Sequence, residues 1–248
     1  MDFEGIKLAR YKVGPLLGRG GMGTVHRAET LNDSSIGPTG MSVAIKFFHP
    51  HLVADERSVR RFRKEAAIGQ SIRHDNVVQS YELSSEEVDG EQHTFMVMQF
   101  VEGQSLRALI AELGTLPEHL LYQVADQALD ALTAIHEHGI IHRDIKPENL
   151  VITEDYKVLV MDLGIARQQD QATQLTQTGE FVGSLHYAAP EQIFEHDKVG
   201  PRADLYAFGV TMYEMATGTK PFVSEDLSAL LSIKLKGEFR RPKLVNSD

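Results

Sequence analysis

The chain has no cysteine. That absence excludes disulfides, cysteine nucleophiles and cysteine-ligated metals. Basic residues are outnumbered: 25 Lys and Arg against 35 Asp and Glu give a formal net charge of −10. This balance argues against non-specific binding to nucleic acid or to an anionic membrane surface, although a local basic patch is compatible with it. No apolar run approaches the roughly 18 residues that a membrane-spanning helix needs. The N-terminus, MDFEGIKLAR, lacks the apolar core of a secretory signal. The expected setting of this segment is therefore soluble and cytoplasmic, with a membrane anchor elsewhere in a longer protein left open. What is present is 248 residues, 42 % apolar and 24 % charged. That is ordinary for a globular protein and enough for one large domain or two lobes sharing a cleft.

The first hundred residues read as strands. YKVGPLLG (11–18), TVHRAET (24–30), SVAIKFF (42–48), VVQSYEL (77–83) and TFMVMQF (94–100) are short, apolar-rich and bounded by Gly, Asn, Asp or Ser. NDSSIGPTG (32–40) is a loop by composition, and the polar SSEEVDGEQ (84–92) suits a hairpin connection. One helix interrupts them, from about Ser58 to Ile72, with Val59, Phe62, Ala66, Gly69 and Ile72 on its inward face. After Gly103 the pattern turns helical. Residues 117–138 read as a long amphipathic helix started by Pro117, its face marked by Leu120, Leu121, Val124, Ala125, Ala128, Leu129, Leu132 and Ile135. LVI (150–152) and KVLV (157–160) read as two short strands. DLYAFGVTMYEMATG (204–218) is apolar almost all round, the mark of a helix buried on every side, with Asp204 as the expected N-cap and Gly218 as the stop. Leu227–Lys236 closes the series. A strand-rich first part and a helical second part predict an α+β fold of two lobes.

Four stretches carry chemistry. LGRGGMGTV (17–25) places Gly18, Gly20 and Gly23 in a G-x-G-x-x-G pattern, which lets backbone N–H groups approach phosphate oxygens. A dinucleotide-binding turn with that spacing must open a helix. Here β-branched Thr24 and Val25 follow, so the loop leads into a strand. Alone, it fits a hairpin folded over a nucleotide or a plain Gly-rich turn equally well. VAIK (43–46) puts Lys46 on an apolar strand. Such a lysine is usually a snorkelling edge residue, unless a helical acid such as Glu65 neutralises it and leaves the ammonium aimed at phosphate. Glu65 by itself reads as a solvated edge residue. GIIHRDIKPENLV (139–151) sets His142, Arg143, Asp144, Lys146, Glu148 and Asn149 between apolar flanks, and MDLG (161–164) follows. Asp144, Asn149 and Asp162 form an oxygen donor set suited to Mg²⁺. Lys146, two residues from Asp144, could offset charge on a transferring phosphoryl group. VGSLHYAAPEQ (182–192) has no local explanation.

Taken together these blocks resemble the protein-kinase signature set, in order: G-x-G-x-x-G-x-V at 18–25, V-A-I-K at 43–46, H-R-D-x-x-x-x-N at 142–149, D-x-G at 162–164 and A-P-E at 189–191. The GGMG loop and the spacing are most similar to bacterial Hanks-type serine/threonine kinases, over about Tyr11 to the end. The resemblance implies an α+β bilobal kinase-like fold. Its small β-rich N-lobe, at 11–101, would carry one regulatory helix, and its larger helical C-lobe would occupy 102–248. It implies ATP as cofactor with Mg²⁺, or Mn²⁺ in its place. Leu17, Gly18, Gly20, Gly23 and Val25 would cover the nucleotide. Lys46, held by Glu65, would bind its phosphates. Met98 would be the gatekeeper, and Gln99, Phe100 and Val101 the hinge, with Ala44 and Val151 also on the nucleotide. Asp144 would be the catalytic base, Lys146 the γ-phosphate contact, Ser184 the residue that orients both, and Asn149 and Asp162 the metal ligands. Asp204 would brace the catalytic loop.

Three departures carry expectations. Leu163 stands where the family usually has Phe, still apolar. Gly69 puts no side chain into the helix packing column and costs about 1 kcal/mol against Ala. The expected helix is thus mobile and needs a homodimer partner or phosphorylation to close. The family continues with two further helices carrying an Arg for Glu191. This chain is expected to lack that end of the domain, leaving Glu191 unpaired or matched to Arg240 or Arg241. Arg143 and Arg167 near a Thr-bearing loop could bind phosphothreonine, with Thr176 and Thr178 as candidate acceptors and Thr173 third. A merely solvated polar loop is the plain alternative. The function implied is transfer of the ATP γ-phosphate to Ser/Thr hydroxyls of protein substrates, with autophosphorylation. Neither nucleic acid nor membrane is an expected partner of this segment. The alternative is a pseudokinase scaffold, although Lys46, Asp144, Asn149 and Asp162 are all retained.

Overall fold

The computed structural model describes residues 3–20, 23–53, 56–163, 183–194, 199–224 and 226–247. The side chains of 51, 56–59, 61–62 and 64–65 fall outside that description. The chain divides into two compact units, Met1–Arg73 with Val78–Val101, and His74–Val77 with Glu102–Asp248.

The first unit is built on a six-stranded antiparallel sheet. Its strands are β1 (Lys7–Leu8), β2 (Tyr11–Gly20), β3 (Gly23–Thr30), β4 (Ser42–Phe48), β5 (Ser80–Val88) and β6 (Glu91–Gln99), in the order β1-β2-β3-β4-β6-β5. Alternation decides the faces. Tyr11, Val13, Ala28, Val43, Ile45, Phe47, Phe95 and Val97 form one buried cluster, which Phe3 and Leu8 join from the N-terminal segment. Phe3 stacks on Phe47 at 3.8 Å. β4 and β6 are buried on both faces, which is why they read as unbroken apolar runs.

Two expectations shift here. The strand expected at 77–83 begins at Ser80 and runs on to Val88, through most of the polar tract. The connection shrinks to Asp89 and Gly90, both at positive φ (52° and 82°), the two-residue turn that matches strand twist. Second, β1 and Phe3 belong to this unit although nothing in their spacing marks them. Helix α1 runs Glu56–Ser71 without interruption at Gly69, and Ala66 and Ile72 are buried as the periodicity predicts.

The second unit is mainly helical. α2 (Leu106–Leu113) is capped by Ser105, whose hydroxyl accepts from Ala108 N at 3.1 Å. α3 (Glu118–Glu137) follows Pro117 and buries Leu120, Val124, Ala125, Ala128, Ala131, Leu132 and Ile135. Leu129, expected on that face, is 40 % exposed, and Ala131 takes its place. A small sheet pairs β7 (Gln104–Ser105), β8 (Leu150–Ile152) and β9 (Val158–Val160). α4 (Pro190–Phe194), α5 (Pro201–Thr217) and α6 (Leu227–Lys236) complete it. The N-cap of α5 is Gly200, so Asp204 lies inside the first turn. Its carboxylate is committed elsewhere, as described below. Leu205 is 49 % exposed, so α5 is not buried all round. Gly218 ends α5 at φ 71°, donating to Glu214 O. A Cβ there would also sit 2.7 Å from Gly114 O, so both conformation and space call for glycine. Among the described residues no helix is long and apolar enough to cross a membrane.

Candidate active site

In the first unit, strand register gathers the expected nucleotide residues. Lys46 lies opposite Val25 on β3 and Met96 on β6, and Ala44 lies opposite Met98. Directly opposed residues share a face, as do residues two apart on one strand. Val25, Ala44, Lys46 and Met98 therefore stand together on the sheet face turned away from the Phe47–Phe95 cluster. Lys46 is 8 % exposed, so this is not a snorkelling edge lysine. Glu65 is on α1, but its side chain, and with it the expected Lys46–Glu65 pair, lies outside the described residues. Gln99 and Phe100 are half-buried, as is Val101. Gln99 N donates to Gln79 O at 2.8 Å, and Arg27 covers the Phe100 ring at 4.9 Å.

The three glycines of the loop differ. A Cβ on Gly23 (φ 147°) would fall 1.7 Å from Phe47 O, so that glycine is required by the approach of β3 to β4. Gly18 and Gly20 have no described protein atom within 4 Å of such a Cβ. Protein packing gives no reason for their lack of a side chain. Leu17 beside them is 49 % exposed.

The second unit holds the charged island. Asp144 Oδ2 accepts from Lys146 Nζ at 3.1 Å and from Asn149 Nδ2 at 3.0 Å. Asn149 Nδ2 also donates to Asp144 O at 2.7 Å, which commits the amide nitrogen and leaves Oδ1 as the end that can meet a cation. Lys146 Nζ reaches Ser184 Oγ at 3.0 Å, so one ammonium links the 142–149 loop to the 183–194 segment. Asp162 follows β9 at φ 57°, two residues beyond Val160, and Met161 N bonds Asn149 O at 3.0 Å. Val151, on β8, is half-buried opposite Leu159 and Ser105.

Asp204 holds the loop from below. It is fully buried and accepts His142 N (2.8 Å) and Arg143 N (2.7 Å), with His136 Nε2 at 2.8 Å. Charge-assisted bonds to backbone N–H groups are among the stronger ones, about 1.5–3 kcal/mol each. They stabilise a left-handed backbone at Arg143 (φ 64°) that a non-glycine residue seldom adopts. His142, fully buried, faces Met161 O at 2.9 Å through Nε2 and Asp144 N at 3.3 Å through Nδ1. A carbonyl only accepts and an amide N–H only donates, so the partners select the Nε2–H tautomer.

Several partners had no signal in the sequence. Gln192 receives Ala189 N on Oε1 and donates to Arg143 O, both at 3.0 Å, tying the APEQ turn to the 142–149 loop. Asn76 donates to Gln127 Oε1 (2.9 Å) and Val158 O (2.7 Å), and its carbonyl accepts Val160 N, fixing β9 ahead of Asp162. Glu191 forms no ion pair among the described residues. Arg240 instead donates to Leu244 O. Arg167, Thr173, Thr176 and Thr178 lie outside the described residues.

A protein kinase domain model matches residues 11–245. The chain belongs to the protein kinase domain family. This kinase domain is 41 % identical, over 89 % of its length, to a probable serine/threonine-protein kinase PknB of Bifidobacterium longum, covering 32 % of that protein. It is 35 % identical over 87 % of its length to the serine/threonine-protein kinase PknB of Mycobacterium leprae, covering 34 %. The chain thus spans about a third of the length of the curated relatives it matches. Among solved structures it resembles Rad53 1-466 in complex with AMP-PNP, at TM-score 0.74 and 25 % identity, over 95 % of this chain and 56 % of that one. The kinase fold and the serine/threonine kinship follow.

Proposed function

We propose that this domain transfers the γ-phosphoryl group of Mg-ATP to Ser/Thr hydroxyls of protein substrates, its own 173–178 segment included. The observation that carries the reading is the Asp144 cluster. One carboxylate oxygen is held by two donors, and one of those donors, Lys146, also bonds Ser184. Asp144 accepts the proton of the acceptor hydroxyl as the hydroxyl oxygen attacks the γ-phosphorus and the bond from that phosphorus to the β,γ-bridging oxygen breaks, releasing ADP. Lys146 offsets charge on the transferring group, and Ser184 holds Lys146 in reach. Val25, Ala44, Met98 and the hinge bind the adenine, and Lys46 meets the phosphates. The open space at Gly18 and Gly20 suits close approach of phosphate oxygens. A nucleotide analogue bound to the Rad53 relative favours the same class of cofactor.

The donor chemistry fits Mg²⁺, or Mn²⁺ in its place. Asn149 Oδ1 and the Asp162 carboxylate would hold it. Among the described residues no three His, Asp or Glu side chains could hold a metal by themselves, so phosphate oxygens would complete the shell. Bound metal would neutralise phosphate charge. Arg143, with Arg167, would receive a phosphothreonine, and a second copy of the chain is the proposed activating partner.

Autophosphorylation with Mg-ATP tests the reading. Asp144→Asn should lower incorporation by about 10²-fold or more, and phosphate should map to 173–178 by mass spectrometry. Equal incorporation in both proteins overturns the catalytic assignment.

A further inference from the structure

One side chain of the second unit, with four hydrogen bonds, lies outside every motif. Arg107, on the first turn of α2, donates from Nε to Glu148 Oε1 at 2.9 Å. It grips Glu214 of α5 with two nitrogens, at 2.9 and 3.1 Å, and donates to the Tyr187 hydroxyl. Tyr187 in turn donates to Glu214 Oε2 at 2.5 Å. Glu214 and Tyr187 are each 3 % exposed. Burial pushes the Tyr187 phenol far above its ordinary value, with the Glu214 hydrogen bond adding to it, so the ring stays a neutral donor.

The two ends of this network matter more than its middle. Glu148 sits between Lys146 and Asn149, the two residues that bond Asp144. Tyr187 sits three residues after Ser184, and its N donates to Ser184 O at 3.0 Å. The Asp144 loop and the 183–194 segment, already joined by Lys146 to Ser184 and by Gln192 to Arg143 O, are therefore joined again through Arg107. A planar guanidinium can hold both at once, because its five donors are fixed in one fork. A lysine cannot. We infer that Arg107 is a positioning residue for the proposed phosphoryl transfer, setting the spacing of the Asp144 and Ser184 segments. The inference rests on the functional reading above for its kinetic consequence but not for its geometry.

The test uses the chain with Mg-ATP and the best peptide from a degenerate Ser/Thr library. Arg107→Lys and Arg107→Met should lower kcat by about 10²-fold and leave ATP affinity, read with a fluorescent nucleotide, within about twofold. Arg107→Met leaves Glu214 buried without its partner and endangers folding, so two further variants are needed. Glu148→Gln acts only on the arm to the Asp144 turn, at a half-exposed site, removing its charge and so weakening it. It should lower kcat about tenfold with an unchanged melting temperature. Arg107→Met/Glu214→Gln should regain stability without regaining kcat. Recovery of both overturns the inference, since the role is then structural. Hydrogen exchange gives a readout free of turnover. The amides of 144–149 and 184–189 should exchange faster together in Glu148→Gln, and no change there overturns the inference as well. If wild type and Asp144→Asn turn over alike, the functional reading fails, and the exchange result still decides whether Arg107 positions the two segments.

Discussion

In the first unit the candidate nucleotide residues are placed by strand register. In the second the proposed catalytic residues are placed by individual side-chain bonds. Val25, Ala44, Lys46 and Met98 share a face because the β3-β4-β6 ladder puts them there, and many backbone bonds enforce the same answer. Asp144, Lys146 and Asn149 sit on a loop whose backbone is bent at Arg143 and held by one carboxylate, Asp204. A ladder spreads its free energy over many bonds, whereas a hub concentrates it. Single side-chain changes should therefore be mild on the sheet face and severe at the hub, and the exceptions should be positions where backbone meets backbone.

Asp204→Ala tests the hub and carries the largest expected effect. It strands two buried N–H donors and His136, and should lower stability by roughly 3–5 kcal/mol. The left-handed Arg143 would relax and take Asp144 out of place. Chemical denaturation with parallel turnover checks it. A loss under about 1 kcal/mol with normal turnover would mean that the loop holds itself and that the contrast between the units is unsound.

Gly23 is the exception on the other side. Gly23→Ala forces a Cβ into Phe47 O at a disfavoured φ. It should cost roughly 2–4 kcal/mol and melt the first unit early. Gly18→Ala and Gly20→Ala meet open space. They should leave folding within about 0.5 kcal/mol and weaken ATP binding instead. Calorimetry against nucleotide titration separates the two behaviours within one six-residue motif. If Gly23→Ala melted like wild type, the close approach of β3 and β4 would be refuted.

The same contrast explains what could be read in advance. Alternation and helical spacing are local, so β3, β4, α3 and α6 were legible almost to the residue. The loop glycines, Lys46, Asp144 and Asn149 were legible because their types are costly or idle without a ligand. The supports were not legible from local pattern. Asp204 acts on residues 61 and 62 positions away, and Arg107 on one 107 away. An apolar helix reads the same whether its first-turn acid caps it or reaches into a distant loop. Pattern alone thus made Asp204 an N-cap, a place Gly200 takes, whereas the family resemblance made it the brace of the 142–149 loop, the use its hydrogen bonds show. Phe3 and β1 were missed for a related reason: a two-residue strand has no period. The polar 84–88 stretch hid a strand because paired edge residues need no apolar side chains.

Lys234 sharpens the comparison at the smallest scale, because it is held by neither a ladder nor a carboxylate. It is 4 % exposed on α6. Its Nζ donates to Ala188 O at 2.7 Å and lies 5.1 and 5.5 Å from the Tyr206 and Phe222 rings. Burial lowers it to about 7 from 10.5, and the two rings recover only part of the lost hydration. The sign follows from proton counting. Between about pH 7 and the unfolded value of 10.5 the unfolded chain binds the extra proton, so stability rises with pH across that window. Below it, both states are protonated and the contribution is gone. From pH 7 to 9 the wild type should gain on the order of 2 kcal/mol relative to Lys234→Met, which lacks the group. Denaturant midpoints of the two proteins at pH 7, 8 and 9 measure the difference. Parallel pH dependences would place the ammonium in water and remove Lys234 as a clamp on the Ala188 carbonyl. A steeper rise in the wild type would make the 183–194 segment, anchored near its start by Ser184 and mid-way by this amine at Ala188 O, sensitive to pH.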